Sequence, residues 1–229
     1  SLMFNIKLPI NFNSPYKALS IQDFWRRWHM TLSRFLRDYI YIPLGGNRKG
    51  EIRTYTNLLA TFLIGGLWHG AGWTFIVWGA LHGIALAIHR AWQSLGFKMN
   101  KILAWFITFN FVNITWIFFR AKDFESAMKV LGSMFSLDNI ILPEKYFKFL
   151  VEYNDIYFIY GTVYENILGK DKTTYFILAG FFITLLFKNS MEKRYTFKAN
   201  YFTVFITLAF LIYTIFLLNQ VSEFLYFNF

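Results

Sequence analysis

Leu63-Ile64-Gly65-Gly66-Leu67-Trp68-His69-Gly70-Ala71-Gly72-Trp73-Thr74-Phe75 sits in the middle of the longest uncharged run of the chain, about 36 residues between Arg53 and Arg90 with no Asp, Glu, Lys or Arg. One membrane-crossing helix needs about 20 apolar residues. The run therefore holds either two spans folded back on each other, with Gly65-Gly66 and Gly70-Ala71-Gly72 as the hinge, or one long tilted helix. Broken backbone at membrane depth is tolerated only where it lines a protein cavity or a water path. Here the break carries Trp68-His69.

The rest of the composition agrees with a membrane setting. Of 229 residues, 56% are apolar, 22% aromatic and only 16% charged, with 29 Phe, 14 Tyr and 8 Trp. A soluble fold of this size could not hide so much apolar surface, and disordered chains lack aromatics, so a soluble enzyme and a disordered segment are both excluded. The absence of Cys removes disulfides, Cys nucleophiles and Cys-based zinc sites, and no other metal site is expected. The net charge of +10 is accounted for by cations at the cytoplasmic ends of spans and against anionic lipid, rather than by nucleic acid. The start, Ser1-Leu2-Met3, has no signal-peptide character and reads as a chain beginning within a longer protein.

Four regions follow from charge and hydropathy, in an all-α, polytopic helical bundle. Residues 1–53 form a basic interfacial region on the cytoplasmic side. Residues 54–119 hold the core spans, the last reading from Ile102 to Phe119. Residues 120–172, mixed in sign, form an extracytoplasmic loop with a helix at Phe124–Phe135. Residues 173–229 hold two further spans, Tyr175–Phe187 and Phe202–Leu218, around a cytoplasmic turn marked by Lys188, Lys193, Arg194 and Lys198. With the hairpin, this makes five crossings, with Arg48, Lys98 and Lys193 in the cytoplasm and Glu144 outside.

The chemistry-bearing residues are the histidines, at positions 29, 69, 82 and 89. His82 and His89 read as packing residues of a span and its end. His69 differs: an ionisable ring in an uncharged, glycine-broken stretch is costly unless it meets a cavity or a partner. Small neighbours let a substrate reach it, and Trp68 and Trp73 can wall the site from lipid and water. Tyr55 and Asn57 are candidate polar partners. His29 stands in Phe24-Trp25-Arg26-Arg27-Trp28-His29-Met30-Thr31, where Trp25, Trp28, Leu32 and Leu36 at helical spacing read as the apolar stripe of one interfacial helix, ended by Pro43 and Gly45-Gly46.

These motifs carry a resemblance. Ser20 to His29 through Gly46-Asn47-Arg48, then Gly66-Leu67-Trp68-His69-Gly70, Trp78-Gly79-Ala80-Leu81-His82-Gly83, Trp116-Ile117-Phe118-Phe119-Arg120-Ala121 and the terminal Phe224 to Phe229 resemble the membrane-bound O-acyltransferase family, in its branch of bacterial polysaccharide, alginate and peptidoglycan O-acetyltransferases. The resemblance is to the C-terminal half of longer proteins, which implies a missing N-terminal membrane half. It also implies that His69 is the essential catalytic histidine and His29 the second one on the reaction path. A tunnel near mid-membrane would join a cytoplasmic thioester donor, acetyl-CoA or an acyl-carrier protein, to hydroxyls of an extracytoplasmic polysaccharide. A bacterial inner-membrane location and an extracytoplasmic acetyltransferase partner protein follow from the same likeness.

Such a transfer needs a base for the hydroxyl proton, a stabilised oxyanion and exclusion of water. Imidazole suits the first because its unperturbed pKa lies near neutral pH. A covalent acyl-imidazole is the second route, and both remain open at this point. Arg26, Arg27, Arg48 and Lys49 suit the phosphates of a donor or equally those of lipid headgroups. No bound cofactor is expected. The competing class is a transporter or flippase for a lipid-linked sugar or small ion, which also uses glycine-broken spans near an ionisable residue; paired intramembrane acids and an inverted repeat, its usual companions, are not seen in the sequence.

Overall fold

The helices begin where side chains can take up the free N–H groups of a first turn. In the computed structural model, which describes residues 4–136, 141–142, 159–160 and 172–218, Ser20 caps Ile21–Trp25 (α1), its hydroxyl accepting from the Asp23 N–H at 3.1 Å. Met30–Leu36 (α2) follows and runs into a π-helical turn at Arg37–Tyr41. The long helices are Glu51–His69 (α3), Trp73–Ser94 (α4) and Lys101–Arg120 (α5), the last capped by Asn100, and Asp123 caps Phe124–Phe135 (α6). A two-residue strand, Ile141–Leu142 (β1), pairs in parallel with Ile159–Tyr160 (β2). Lys172–Leu186 (α7) lies near α5 through a Phe109–Phe181 ring contact at 5.7 Å.

These elements belong to one unit, residues 1–187. Residues 188–229 form a second, in which Asn189 and Asn200 close capping boxes at the starts of Ser190–Thr196 (α8) and Tyr201–Leu217 (α9). The residue ranges expected to cross fall in helices α3 to α5, α7 and α9. Of these, α4 and α5 are long and apolar enough to cross a membrane, while α7 and α9 are apolar helices of 15 and 17 residues. The terminal Phe224–Phe229 motif and Glu144 lie outside the described residues.

The uncharged run is a hairpin: α3 and α4 are separate helices joined at Gly70-Ala71-Gly72. Gly65-Gly66, expected as part of the hinge, are instead helical and buried in α3. Their role is close approach. A Cβ at Gly66 would stand 2.3 Å from the Phe75 carbonyl oxygen, one at Gly79 2.3 Å from that of Phe62, and one at Gly83 2.9 Å from the Cα of Leu59. Gly79 and Gly83 are four apart, so they share a face of α4 and let the two backbones touch, as small residues do in membrane helix pairs. At the far end from the turn, Arg90 donates to both carboxylate oxygens of Glu51 at 2.9 Å.

The core forms where α1 docks on α4 and α5 around His82, which is fully buried. Trp25 Nε1 donates to His82 Nδ1 at 3.2 Å. Thr115 Oγ1 lies 3.0 Å from His82 Nε2 and itself donates to the Val112 carbonyl at 2.8 Å. An indole nitrogen only donates, so Nδ1 accepts and Nε2–H donates to Thr115: the ring is neutral, with one tautomer fixed by its neighbours. The expected single stripe from Trp25 to Leu36 is broken in two, because His29 has left-handed backbone (φ 42°) between α1 and α2. Trp25, Leu32 and Leu36 are nonetheless buried.

The crossing generates a direct test. In the full-length protein, Gly79→Ala is expected to cost about 1–3 kcal/mol through overpacking against Phe62, whereas Gly132→Ala, with nothing within 4 Å of the added Cβ, is expected to be neutral or to gain up to about 1 kcal/mol. Thermal unfolding in detergent measures both, and equal effects would contradict the close approach.

Candidate active site

Helix α3 ends at His69 because Gly70 turns the chain out of the helix and passes beneath the ring of Phe75; a Cβ there would lie 2.5 Å from Phe75 Cε2. His69 therefore stands at the turn, at the opposite end of α3 from the Glu51–Arg90 pair. Its half-buried imidazole meets Trp68 at 4.8 Å, Phe119 at 5.0 Å and Trp78 at 5.3 Å between ring centroids, all edge-on, and lies nearly parallel to Phe75 at 6.5 Å. No hydrogen bond holds either ring nitrogen among the described residues. An accessible imidazole with both nitrogens uncommitted, set among aromatic rings, can take up and return a proton or bond to an acyl carbon.

His29 is the N-cap of α2, and a non-glycine residue in left-handed backbone is uncommon enough to ask what holds it. Asn11 does so. Its carbonyl accepts from Met30 N at 2.9 Å, and its side-chain oxygen accepts from Thr31 N at 3.1 Å and from Thr31 Oγ1 at 2.8 Å, serving the free N–H groups that the histidine side chain does not cap. Asn13 N adds a bond to the Arg27 carbonyl at 2.8 Å. His29 Nδ1 is buried and has no hydrogen-bond partner among the described residues. Burial pulls this imidazole below its ordinary pKa, which favours the neutral ring.

The remaining candidates divide. Trp68 touches His69 but is 63% exposed, and Trp73, at the start of α4, is 74% exposed with no ring contact to His69 among the described residues. The walls of the site are instead Trp78, Phe75 and Phe119. Asn57 and Tyr55 are not partners of His69. Asn57 precedes it by 12 residues, about 18 Å along a helix, and donates to the Gly46 carbonyl at 2.9 Å, fastening the Gly45-Gly46 turn to α3. Tyr55 lies farther still.

Arg26 and Arg48 face different spaces. Arg26 lines a cavity of about 480 Å³ with Arg34, Arg37, His89 and Arg90, whose apolar walls include Trp25, Leu36 and Phe62. Arg48 lines a smaller one of about 260 Å³ beside Gly45 and Gly46, with Arg37 and Tyr41 common to both. Arg37 is paired with Asp38 at 2.7 Å, and its guanidinium holds that carboxyl below the usual range. Arg26 and Arg34 have no ion-pair partner among the described residues. His89, expected as a packing residue, is half-buried and borders the larger cavity, which neither His69 nor His29 lines.

Residues 2–127, which contain both histidines, the hairpin and α5, match the membrane-bound O-acyltransferase family. Over its whole length the chain is 50% identical to a peptidoglycan O-acetyltransferase of Helicobacter pylori, covering 44% of that protein. It is 49% identical over 147 residues to a probable alginate O-acetylase AlgI of Pseudomonas putida, an alignment that takes in 62% of this chain and 30% of the relative. A teichoic acid D-alanyltransferase of Streptococcus thermophilus is 34% identical over 143 residues, 52% of this chain and 34% of that protein. The chain spans less than half the length of these curated relatives. With the family match covering more than half of its residues, the chain belongs to the membrane-bound O-acyltransferase family.

Proposed function

We propose that the protein to which this chain contributes is a membrane O-acetyltransferase of a bacterial inner membrane. It passes an acetyl group from a cytoplasmic thioester, acetyl-CoA or an acyl-carrier protein, towards hydroxyls of an extracytoplasmic polysaccharide such as peptidoglycan or alginate. The observation that carries the reading is His69, with uncommitted ring nitrogens in an aromatic pocket at the hairpin turn of a family-matched segment. In the general-base route the acceptor oxygen bonds to the thioester carbonyl carbon while His69 takes its proton. The C–S bond then breaks and the thiolate recovers that proton. In the covalent route His69 carries the acetyl group between the two partners. His29, neutral and held by a strained turn, positions the donor or the acceptor.

The cavity of about 480 Å³ supports a route for the donor. Arg90, one of its cations, pairs with Glu51, and its apolar wall runs along α3 through Phe62 to Leu36, which packs against Gly65. Arg26 and Arg34 suit the phosphate of a donor. The remaining membrane half of the protein completes the walls, and an extracytoplasmic acetyltransferase partner receives or redirects the acyl group.

Two experiments test the proposal. Full-length protein incubated with radiolabelled acetyl-CoA and a glycan acceptor is expected to transfer label. His69→Ala should abolish nearly all turnover, at least the hundredfold to ten-thousandfold that a positioned base supplies, at unchanged membrane abundance. His29→Ala should leave more residual activity than His69→Ala. Near-normal turnover of His69→Gln would sink both routes, because an amide replaces neither base nor nucleophile.

Topology is tested by introduced thiols, since the chain has no Cys of its own. In a protein otherwise free of Cys, Arg48→Cys and Lys98→Cys are expected to be labelled from the cytoplasm and Lys122→Cys from outside. Labelling of Lys122→Cys from the cytoplasm alone would reverse the assignment.

A further inference from the structure

Trp78 is only 4% exposed, and its indole Nε1 is buried without a hydrogen-bond partner among the described residues. Buried N–H groups are almost always paired, so an unpaired one asks for an explanation. Four rings surround it: His82 at 4.9 Å, His69 and Phe119 each at 5.3 Å, and Trp25 at 5.9 Å. His82 has both nitrogens committed, to Trp25 and Thr115. An indole nitrogen accepts nothing, and a phenyl ring offers only its weak π face. His69 alone keeps an unused lone pair, yet no bond closes between it and Trp78. An unused donor and an unused acceptor thus belong to two rings in edge-on contact at 5.3 Å.

Acyl transfer to a hydroxyl needs such a pair: an acceptor for the proton that leaves and a donor for the negative charge that arrives. We propose that Trp78 is a catalytic residue whose Nε1–H donates a hydrogen bond to the carbonyl oxygen of the thioester as that oxygen becomes an oxyanion. This role rests on the acetyl-transfer reading. The hydroxyl oxygen bonds to the carbonyl carbon, its proton passes to His69, and the carbonyl π pair moves onto the oxygen held by Trp78. Collapse reforms C=O and breaks C–S, and the thiolate takes the proton back from His69. Nothing is oxidised or reduced. Trp78 is held in place by the rings around it, and a fixed donor acts most strongly on developing charge.

The test uses full-length protein carrying benzothienylalanine at position 78, in which sulfur replaces the indole N–H and the ring shape is kept, beside Trp78→Phe. Acetyl transfer is expected to lose about a hundredfold to a thousandfold in kcat, the range for removal of one oxyanion donor. KM, the pH midpoint of kcat and the amount of folded protein should stay at wild-type values. Unchanged kcat in the benzothienylalanine protein overturns the role, as does a loss confined to KM. A kcat loss with a shifted pH midpoint also overturns it, because Trp78 would then act by orienting His69. Wild-type turnover is measured first, and its absence would instead sink the acetyl-transfer reading, and this role with it.

Discussion

Backbone contact between α3 and α4, with Gly66 against Phe75 and Gly79 against Phe62, is the constraint on which the rest of the structure depends. In a bilayer, lipid is as apolar as a leucine side chain, so two helices gain little by hiding apolar surface from it; close packing holds them together. At this separation, three residues suffice to reverse the chain between His69 and Trp73. The same separation sets Trp78, one residue before Gly79, against the ring of His69. A Cβ at the crossing would loosen the fold and the site together, because both are the geometry of one helix pair.

His82 and His69 show how neighbours assign work to the same side chain. His82 is enclosed by Trp25, Trp78, Phe24 and Phe62, and its nitrogens are committed to an indole donor and a threonine hydroxyl. It therefore joins α1 to α4 and α5 as a neutral structural link. Its bond to Trp25 fixes the end of α1, and Asn11 fixes the start of α2, so the strained turn at His29 is held from both sides. His69 sits at the hairpin turn among two phenyl rings and two indoles, none of which hydrogen-bonds to it. Saturation makes the first histidine inert and its absence makes the second available.

The ends of the α5 span were legible in the sequence because charges mark them locally: the helix is bounded by Lys101 and Arg120. The break at Gly70-Ala71-Gly72 was legible too. Gly65-Gly66 were misassigned because glycine in an apolar run has the same appearance whether it bends a helix or admits a neighbour, and only the partner helix decides. The one-helix stripe from Trp25 to Leu36 failed for a similar reason: the left-handed turn at His29 is held by Asn11, whose pairing is tertiary. At the site, Trp68 and Trp73 drew attention by adjacency to His69, whereas the wall residues arrive across the hairpin, from Trp78, and from α5, from Phe119. Trp78 had a trace in the sequence, within the Trp78-Gly79-Ala80-Leu81-His82-Gly83 motif. Phe119 had a like trace, within Trp116-Ile117-Phe118-Phe119-Arg120-Ala121, whereas Asn11 had no local signal that points to a histidine.

Charge is distributed along the hairpin in a way that constrains the donor in the proposed reaction. Between Glu51 and Asp123 the chain contains no acid, and the cavity of about 480 Å³ gathers Arg26, Arg34, Arg37 and Arg90, the last paired with Glu51 at the end of α3 opposite to His69. The 19 residues of α3 span about 28 Å. The wall of the cavity includes Phe62 and also Leu36, which packs against Gly65, about 6 Å of helix axis before His69. In the proposed reaction, a donor whose anionic group rests on the arginines of this cavity carries its acyl group along that apolar wall towards the imidazole. His69 does not line that cavity, so in the proposed reaction charge developing on the thioester oxygen meets the fixed Trp78 N–H among aromatic rings rather than a hydrated guanidinium. On this reading, recognition of the donor falls to the arginine-lined cavity and chemistry on its acyl group to the hairpin turn, and the wall between them guides the acyl arm.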